Sequence, residues 1–147
     1  MDFNSFDEVL DFAIAREEEA YEFYNDLAAR MDIPHMRAVF ESFANEELGH
    51  KSKLLAIREG EIEPRVINEV VDLKISDYVV DIEPGPNMDY QQALIVAMKR
   101  EKAAFKLYLD LAAKVTFEVL RSTFLMLAQE EAKHKLQFEI EYDEMMG

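Results

Sequence analysis

Residues 44–51 read Ala-Asn-Glu-Glu-Leu-Gly-His-Lys, and residues 128–135 read Ala-Gln-Glu-Glu-Ala-Lys-His-Lys. Each copy contains a Glu-x-x-His pair, Glu47/His50 and Glu131/His134. In an α-helix, positions i and i+3 share a face, so each copy can aim one carboxylate and one imidazole at a common point. A single such pair says little in a chain with 31 acids. Two of the three histidines in this arrangement, on the frame of a repeat, say much more.

The repeat extends well beyond these eight residues. A shift of 84 positions carries Glu17 onto Glu101 and His50 onto His134, and aligns Arg16 with Arg100, Tyr24 with Tyr108, and Arg37 with Arg121. It also aligns Asp26-Leu27-Ala28-Ala29 with Asp110-Leu111-Ala112-Ala113. Repeated Leu, Ala and Phe at helical spacing are read as shared core pattern. Repeated charges on the same frame are not explained by packing.

Helical periodicity and end signals place four helices around the repeat. Ser5-Phe6-Asp7-Glu8 has the form of a capping box, and the first helix runs from there to about Ala29–Met31. Pro34 can sit in the first turn of the second, which stops at Gly60. Asp89, with Gln92 three residues on, caps the third, which ends near Lys114; Thr116 can cap the fourth, which reaches almost to the C-terminus. Short joints near positions 32 and 116 make hairpin one, about 5–60, and hairpin two, about 89–146. The segment of about 61–88 is too long for a hairpin turn. A crossover along helices of about 40 Å needs at least about 12 extended residues. The chain is therefore expected to be all-α, a single domain over 1–147, folded as an up-down-down-up four-helix bundle.

Composition narrows the function. A net charge of −15 argues against nucleic acid and anionic membrane as partners. The acidic amino terminus has no signal-peptide pattern, so the cytoplasm is the expected compartment. The absence of Cys excludes disulfides, thiol catalysis and Cys-ligated metal centres within these 147 residues. Glu17 and Glu47 stand equally far along the chain from Asp32, as do Glu101 and Glu131 from Thr116, so each pair sits at one level of its hairpin. Ala13, Ala20 and Tyr24 share the face of Glu17, and Ala97, Ala104 and Tyr108 that of Glu101, which marks an inward stripe. Four carboxylates gathered there cost several kcal/mol each unless protonated, exposed or bound to cations. Four Glu and two His around two divalent ions is the donor set of di-iron carboxylate bundles.

On these residues the chain resembles the rubrerythrin-like branch of the ferritin-like di-iron carboxylate superfamily. The pattern Glu, Glu-x-x-His, Glu, Glu-x-x-His is met by Glu17, Glu47/His50, Glu101 and Glu131/His134. The resemblance implies a ferritin-like bundle holding two iron ions, the same donors also suiting manganese or a mixed site. It implies bridging roles for Glu47 and Glu131, terminal roles for Glu17 and Glu101, and phenols at Tyr24 and Tyr108 that hydrogen-bond ligating carboxylates. The implied activity is reduction of hydrogen peroxide or dioxygen, with a homodimer as the assembly. Two departures stand out. Ala104 occupies the position of an additional family Glu, and no rubredoxin domain is present, so electrons must come from a separate donor such as a rubredoxin. A ferroxidase that stores iron, and a metal-binding bundle without turnover, are the alternatives. Glu46 and Glu130 are read either as acids that orient the histidines or as solvated acids. Glu18 and Glu19 are expected on the surface, as is His35.

Overall fold

The structure, a computed structural model, describes residues 6–60, 88–116 and 118–146. Ser5 and the crossover residues 61–87 lie outside these, and so do the readings made on them. The described elements are α1 (Phe6–Arg30), α2 (Pro34–Arg58), α3 (Tyr90–Lys114) and α4 (Glu118–Met146).

The end signals operate as local chemistry requires. Pro34 stands in the first turn of α2, where its missing N–H costs no hydrogen bond. Past the other end of α2, Gly60 has φ 79°, a left-handed conformation that glycine adopts without a Cβ penalty. Its N–H donates to the Ile57 carbonyl at 3.1 Å, and the Glu59 N–H donates to Leu55 at 2.9 Å. At α3 the Gln92 N–H donates to Asp89 Oδ1 at 2.8 Å, while the Asp89 N–H donates to Gln92 Oε1 at 3.1 Å. Replacing Asp89 by Ala removes this cap. It should cost about 1 kcal/mol, which a melting experiment reads as a fall in Tm of about 2–4 °C.

Cross-helix contacts give the direction of each helix. Tyr24 meets Glu101 while Tyr108 meets Glu17, so α1 and α3 are antiparallel. His50 meets Glu130 while His134 meets Glu46, so α2 and α4 are antiparallel as well. Phe6 packs on Phe124 and Tyr24 on Phe138, so α1 and α4 run the same way. The bundle is up-down-down-up, as the long crossover requires. The two hairpins are related by a local two-fold axis, so the Tyr–Glu and His–Glu contacts each occur twice with their residues exchanged between copies. Backbones approach closely within each hairpin, whereas the two hairpins stand apart and meet mainly through long side chains. Arg37 and Arg121 are a repeated pair with a structural task. Each donates to a carbonyl at the end of the preceding helix, Met31 O at 3.0 Å and Val115 O at 3.3 Å.

The apolar core comes in two pieces. One, around Phe6, Leu10, Leu54, Leu111, Leu120 and Phe124, fills one end of the bundle. The other, around Leu27, Phe40, Phe43, Tyr90, Leu94 and Phe138, fills the opposite end. Fully burying such side chains contributes about 1.5–3 kcal/mol apiece. Between the two pieces lies a layer of a different kind.

Candidate metal centre

That layer consists of Glu17, Glu47, His50, Glu101, Glu131 and His134. Among the described residues these are the only buried acids and histidines, none more than 4% exposed. Each of the four helices supplies one carboxylate, and α2 and α4 each add an imidazole one turn further on. The helical phase that buries Ala13 and Tyr24 buries Glu17 between them; Ala97 and Tyr108 do the same for Glu101.

The six side chains form two overlapping groups, one of Glu17, Glu47, His50 and Glu131, the other of Glu47, Glu101, Glu131 and His134. Within each group one donor atom per residue lies within 4.8 Å of the others, and Glu47 and Glu131 belong to both. His50 Nδ1 is 2.6 Å from Glu131 Oε1 and 3.5 Å from Glu17 Oε2. His134 Nδ1 is 3.2 Å from Glu47 Oε1 and 3.5 Å from Glu101 Oε2. These are close approaches without hydrogen-bond alignment. Glu17 Oε2, Glu47 Oε1, Glu101 Oε2, both Glu131 oxygens and both Nδ1 atoms are cut off from solvent with no hydrogen-bond partner.

Seven converging orphan atoms are a severe load, since an unsatisfied buried polar group costs about 1–3 kcal/mol. Divalent cations at the two foci would satisfy all seven at once. Oxygen and imidazole donors without thiolate suit iron or manganese. The residues present fit such a metal pair.

Electrostatics point the same way. Burial, followed by the charges of Glu101 and Glu17, pushes the Glu47 carboxyl far above the usual carboxylate range. Burial and the charges of Glu101, Glu47 and Glu17 do the same to Glu131. Burial also acts to raise Glu101, but the close approach of Glu131 and His134, the His134 charge and the Tyr24 hydrogen bond outweigh it and hold this carboxyl low. Burial alone would depress both histidines. Glu17 and Glu130 around His50, and Glu101, Glu46 and Glu130 around His134, raise them instead. Without metal, protons must supply the positive charge that this centre is built to accept.

The surroundings hold the donors in place, and they do so across the hairpins. Tyr24 OH donates to Glu101 Oε1 and Tyr108 OH to Glu17 Oε1, both at 2.5 Å. Burial and the nearby carboxylates push both phenols well up, so they remain donors. Glu130 Oε2 lies 2.7 Å from His50 Nε2, and Glu46 Oε2 lies 2.7 Å from His134 Nε2. Glu46 and Glu130 therefore orient the histidines, each taking the one on the other hairpin. Their hold on Nε2 fixes the proton there and leaves the Nδ1 lone pair facing inward. The two imidazole planes are nearly parallel, 6° apart, with ring centres separated by 5.8 Å.

The remaining candidates lie outside the centre. His35 is 68% exposed and pairs with Glu141 at 3.1 Å. Glu18 and Glu19 are exposed, with Lys51 and Arg16 as their respective partners. Sequence reasoning did not single out Arg16 and Arg100, which border the buried acids; their signal was the recurrence of charge on the repeat frame.

The Rubrerythrin family matches the chain over residues 8–85 and 92–147. No curated protein matches it. A Thermotoga maritima structure described as a ferritin-like diiron-carboxylate protein superposes with a TM-score of 0.84 at 18% identity, covering 99% of this chain and 98% of that one. A hypothetical protein from Pyrococcus furiosus superposes with a TM-score of 0.73 at 28% identity, covering 93% of this chain and 87% of that one. The fold is thus ferritin-like.

Proposed function

The chain belongs to the rubrerythrin family, and from that premise we propose that it is a di-iron oxidoreductase, reducing hydrogen peroxide or dioxygen with electrons from a separate donor. The observation that carries the reading is the twofold-related donor set, with seven unpartnered atoms sealed between two apolar cores. A purely structural polar layer would satisfy its own groups.

Glu47 and Glu131, common to both groups, would bridge the metals; Glu17 and Glu101 would be terminal, and each Nδ1 would complete one site. Two bound irons would supply the two electrons needed to reduce peroxide to water. The protein's own contribution is positional and protonic. Tyr24 and Tyr108 hold one oxygen of each terminal carboxylate and leave the other free to face the metals. Glu46 and Glu130 link the imidazoles to a cleft between α2 and α4, where Lys53, Lys133 and Gln137 also stand. That cleft is the route by which solvent protons reach the histidine side of the centre. The apolar cores at either end exclude bulk water, which strengthens each of these interactions.

The donor is external, a rubredoxin or another small redox protein, and the working assembly is a homodimer. Among the described residues no helix is long and apolar enough to cross a membrane.

The test is to load two ferrous ions per chain without oxygen, add limiting peroxide, and follow turnover with an external reductant. Substituting His50 and His134 together by Ala should lower the rate by about 100-fold or more, since even lost outer partners of metal ligands cost 10–100-fold. Equal rates in the two proteins overturn the reading. Sizing chromatography separates it from iron storage, which demands a large hollow shell.

A further inference from the structure

Tyr24 does more than hold Glu101, because its ring starts an aromatic column that leads away from the buried acids. It stacks on Phe40 with ring centres 6.2 Å apart and planes 13° apart. Phe40 meets Tyr90 edge to face, with ring centres 5.6 Å apart. Both separations are those of rings in contact. The three rings are buried, and the column ends where α2 and α3 begin and α4 stops.

At that end Tyr90 meets a proton acceptor with an outlet. Its hydroxyl donates to Glu141 Oε2 at 2.8 Å, within reach of proton transfer. His35 Nε2 lies 3.1 and 3.2 Å from the two oxygens of the same carboxylate, and its side chain stands mostly in solvent. Burial and the Glu141 acceptor push the Tyr90 phenol up, so it rests protonated. A phenol gives up an electron readily only when its proton leaves with it, since the oxidised phenol is a strong acid. Tyr90 has somewhere to send that proton. Tyr24 does not, because its acceptor Glu101 is sealed inside the bundle.

The repeat shows that packing does not demand these groups. Tyr90, Glu141 and His35 correspond to Phe6, Ile57 and Val119 in the other half. Phe43 and Phe138, which flank the Tyr24 ring, correspond to Leu127 and Leu54. The opposite end of the bundle is closed by apolar side chains, with Phe6 and Ile57 among them. Every donor of the centre is duplicated, whereas the Tyr90–Glu141–His35 chain occurs once.

We propose that Tyr90 is a redox site, an electron reserve for the metal centre that is reached through Tyr24 and Phe40 and gives its proton to Glu141. The proposal rests on the di-iron reading above. Reduction of one peroxide to two waters takes two electrons and two protons. When the external donor is scarce, a centre with one ferrous ion is one electron short. Tyr90 supplies the second electron, the first coming from the ferrous ion as it becomes ferric. Tyr90 is left as a neutral phenoxyl radical. Both protons of the waters come from solvent, while the phenolic proton passes to Glu141 and leaves by way of His35. The benzene ring of Phe40 resists oxidation, so it couples the two phenols without holding the charge. One electron from the external donor and one proton from solvent restore the phenol.

The test is electron paramagnetic resonance. The chain is loaded with two ferrous ions without oxygen, half oxidised with ferricyanide, mixed with peroxide in the absence of donor, and rapidly frozen. Wild type should show a tyrosyl radical, recognised by its narrowing when the tyrosines are ring-deuterated. Tyr90→Phe should lower the signal at least tenfold, with iron content unchanged. Glu141→Gln keeps an acceptor oxygen but removes the base, and should lower the signal too. Tyr142→Phe, at a hydroxyl that accepts only from Gln91 at 3.3 Å, should leave it intact. A signal that persists within twofold in Tyr90→Phe overturns the proposal. So does a parallel loss of iron and signal in that variant, which would make Tyr90 only a structural tie. Ferric ion formed by peroxide without any radical overturns this proposal alone, whereas a chain that takes up no iron, or whose ferrous ions peroxide does not oxidise, overturns the di-iron reading itself.

Discussion

Replacing Glu47 and Glu131 together by Leu should make the metal-free chain more stable and abolish its uptake of divalent metal. The two carboxyls are completely buried, and they are the pair whose protonation burial and neighbouring charge enforce most strongly. In the absence of metal they contribute three unpartnered oxygens. Leucine has a similar volume and joins the apolar cores above and below the layer. Such replacements of buried ionic groups stabilise by about 1–4 kcal/mol when the shape is kept. His50 and His134 keep carboxylate neighbours in Glu17, Glu130, Glu101 and Glu46, so no charge is stranded. The loss of metal follows because both residues belong to both donor groups. Urea denaturation in chelator reads the gain, and elemental analysis after loading with ferrous or manganous ion reads the loss. A double variant that is less stable than wild type, or that still carries two metals, contradicts the arrangement. The opposed signs are expected of a functional site, where stability is given up for binding.

The fold was legible because its signals are local and redundant. Pro34, Gly60 and the Asp89/Gln92 box each mark a helix end through their own backbone chemistry, and each is found at the end it marks. The unequal connections gave the topology, since a hairpin cannot use the many residues between Gly60 and Met88. The centre was legible for a different reason. A duplicated chain displays its functional residues twice, so the coincidence of Glu17 with Glu101 and of His50 with His134 separates them from other charges on the surface.

What remained illegible was everything that crosses between hairpins. Periodicity places Tyr24 on the face of Glu17, yet its hydroxyl serves Glu101 on the other hairpin. Glu46 lies next to Glu47 and one turn from His50, yet it holds His134. Pairings of this kind depend on how the two-fold axis brings the copies together, and the spacing within one helix carries no trace of it. Arg37 and Arg100 show the same limit. Both are arginines repeated in register, but one ties a hairpin turn and the other stands at a cavity. Only tertiary position distinguishes them.

Metal should reverse the pH dependence of stability as well as raise it. In the metal-free chain, Glu47 and Glu131 have folded-state pKa values above their unfolded ones, and so do His50 and His134. For a group shifted upward, the stabilising contribution is complete below the unfolded pKa and disappears as pH rises through the folded one. All four therefore favour the fold at mild acidity and oppose it at alkaline pH. Glu101 is shifted downward, so its contribution is complete above the usual carboxylate range and is constant over neutral pH. The Tm of the metal-free chain should thus fall as pH rises from mild acidity into the alkaline range. With ferrous or manganous ion the slope changes sign, because the metals need the carboxylates and Nδ1 atoms free of protons. At free metal about 100-fold above Kd, two sites add about 5 kcal/mol, which raises Tm by roughly 15 °C near neutrality. General repulsion in a chain of net charge −15 also weakens the fold as pH rises. The double variant Glu47→Leu with Glu131→Leu separates the two causes, since it retains the surface charge and loses both buried acids. Its slope in chelator should be flatter than wild type. An unchanged slope would place the pH dependence on the surface and remove the centre from it.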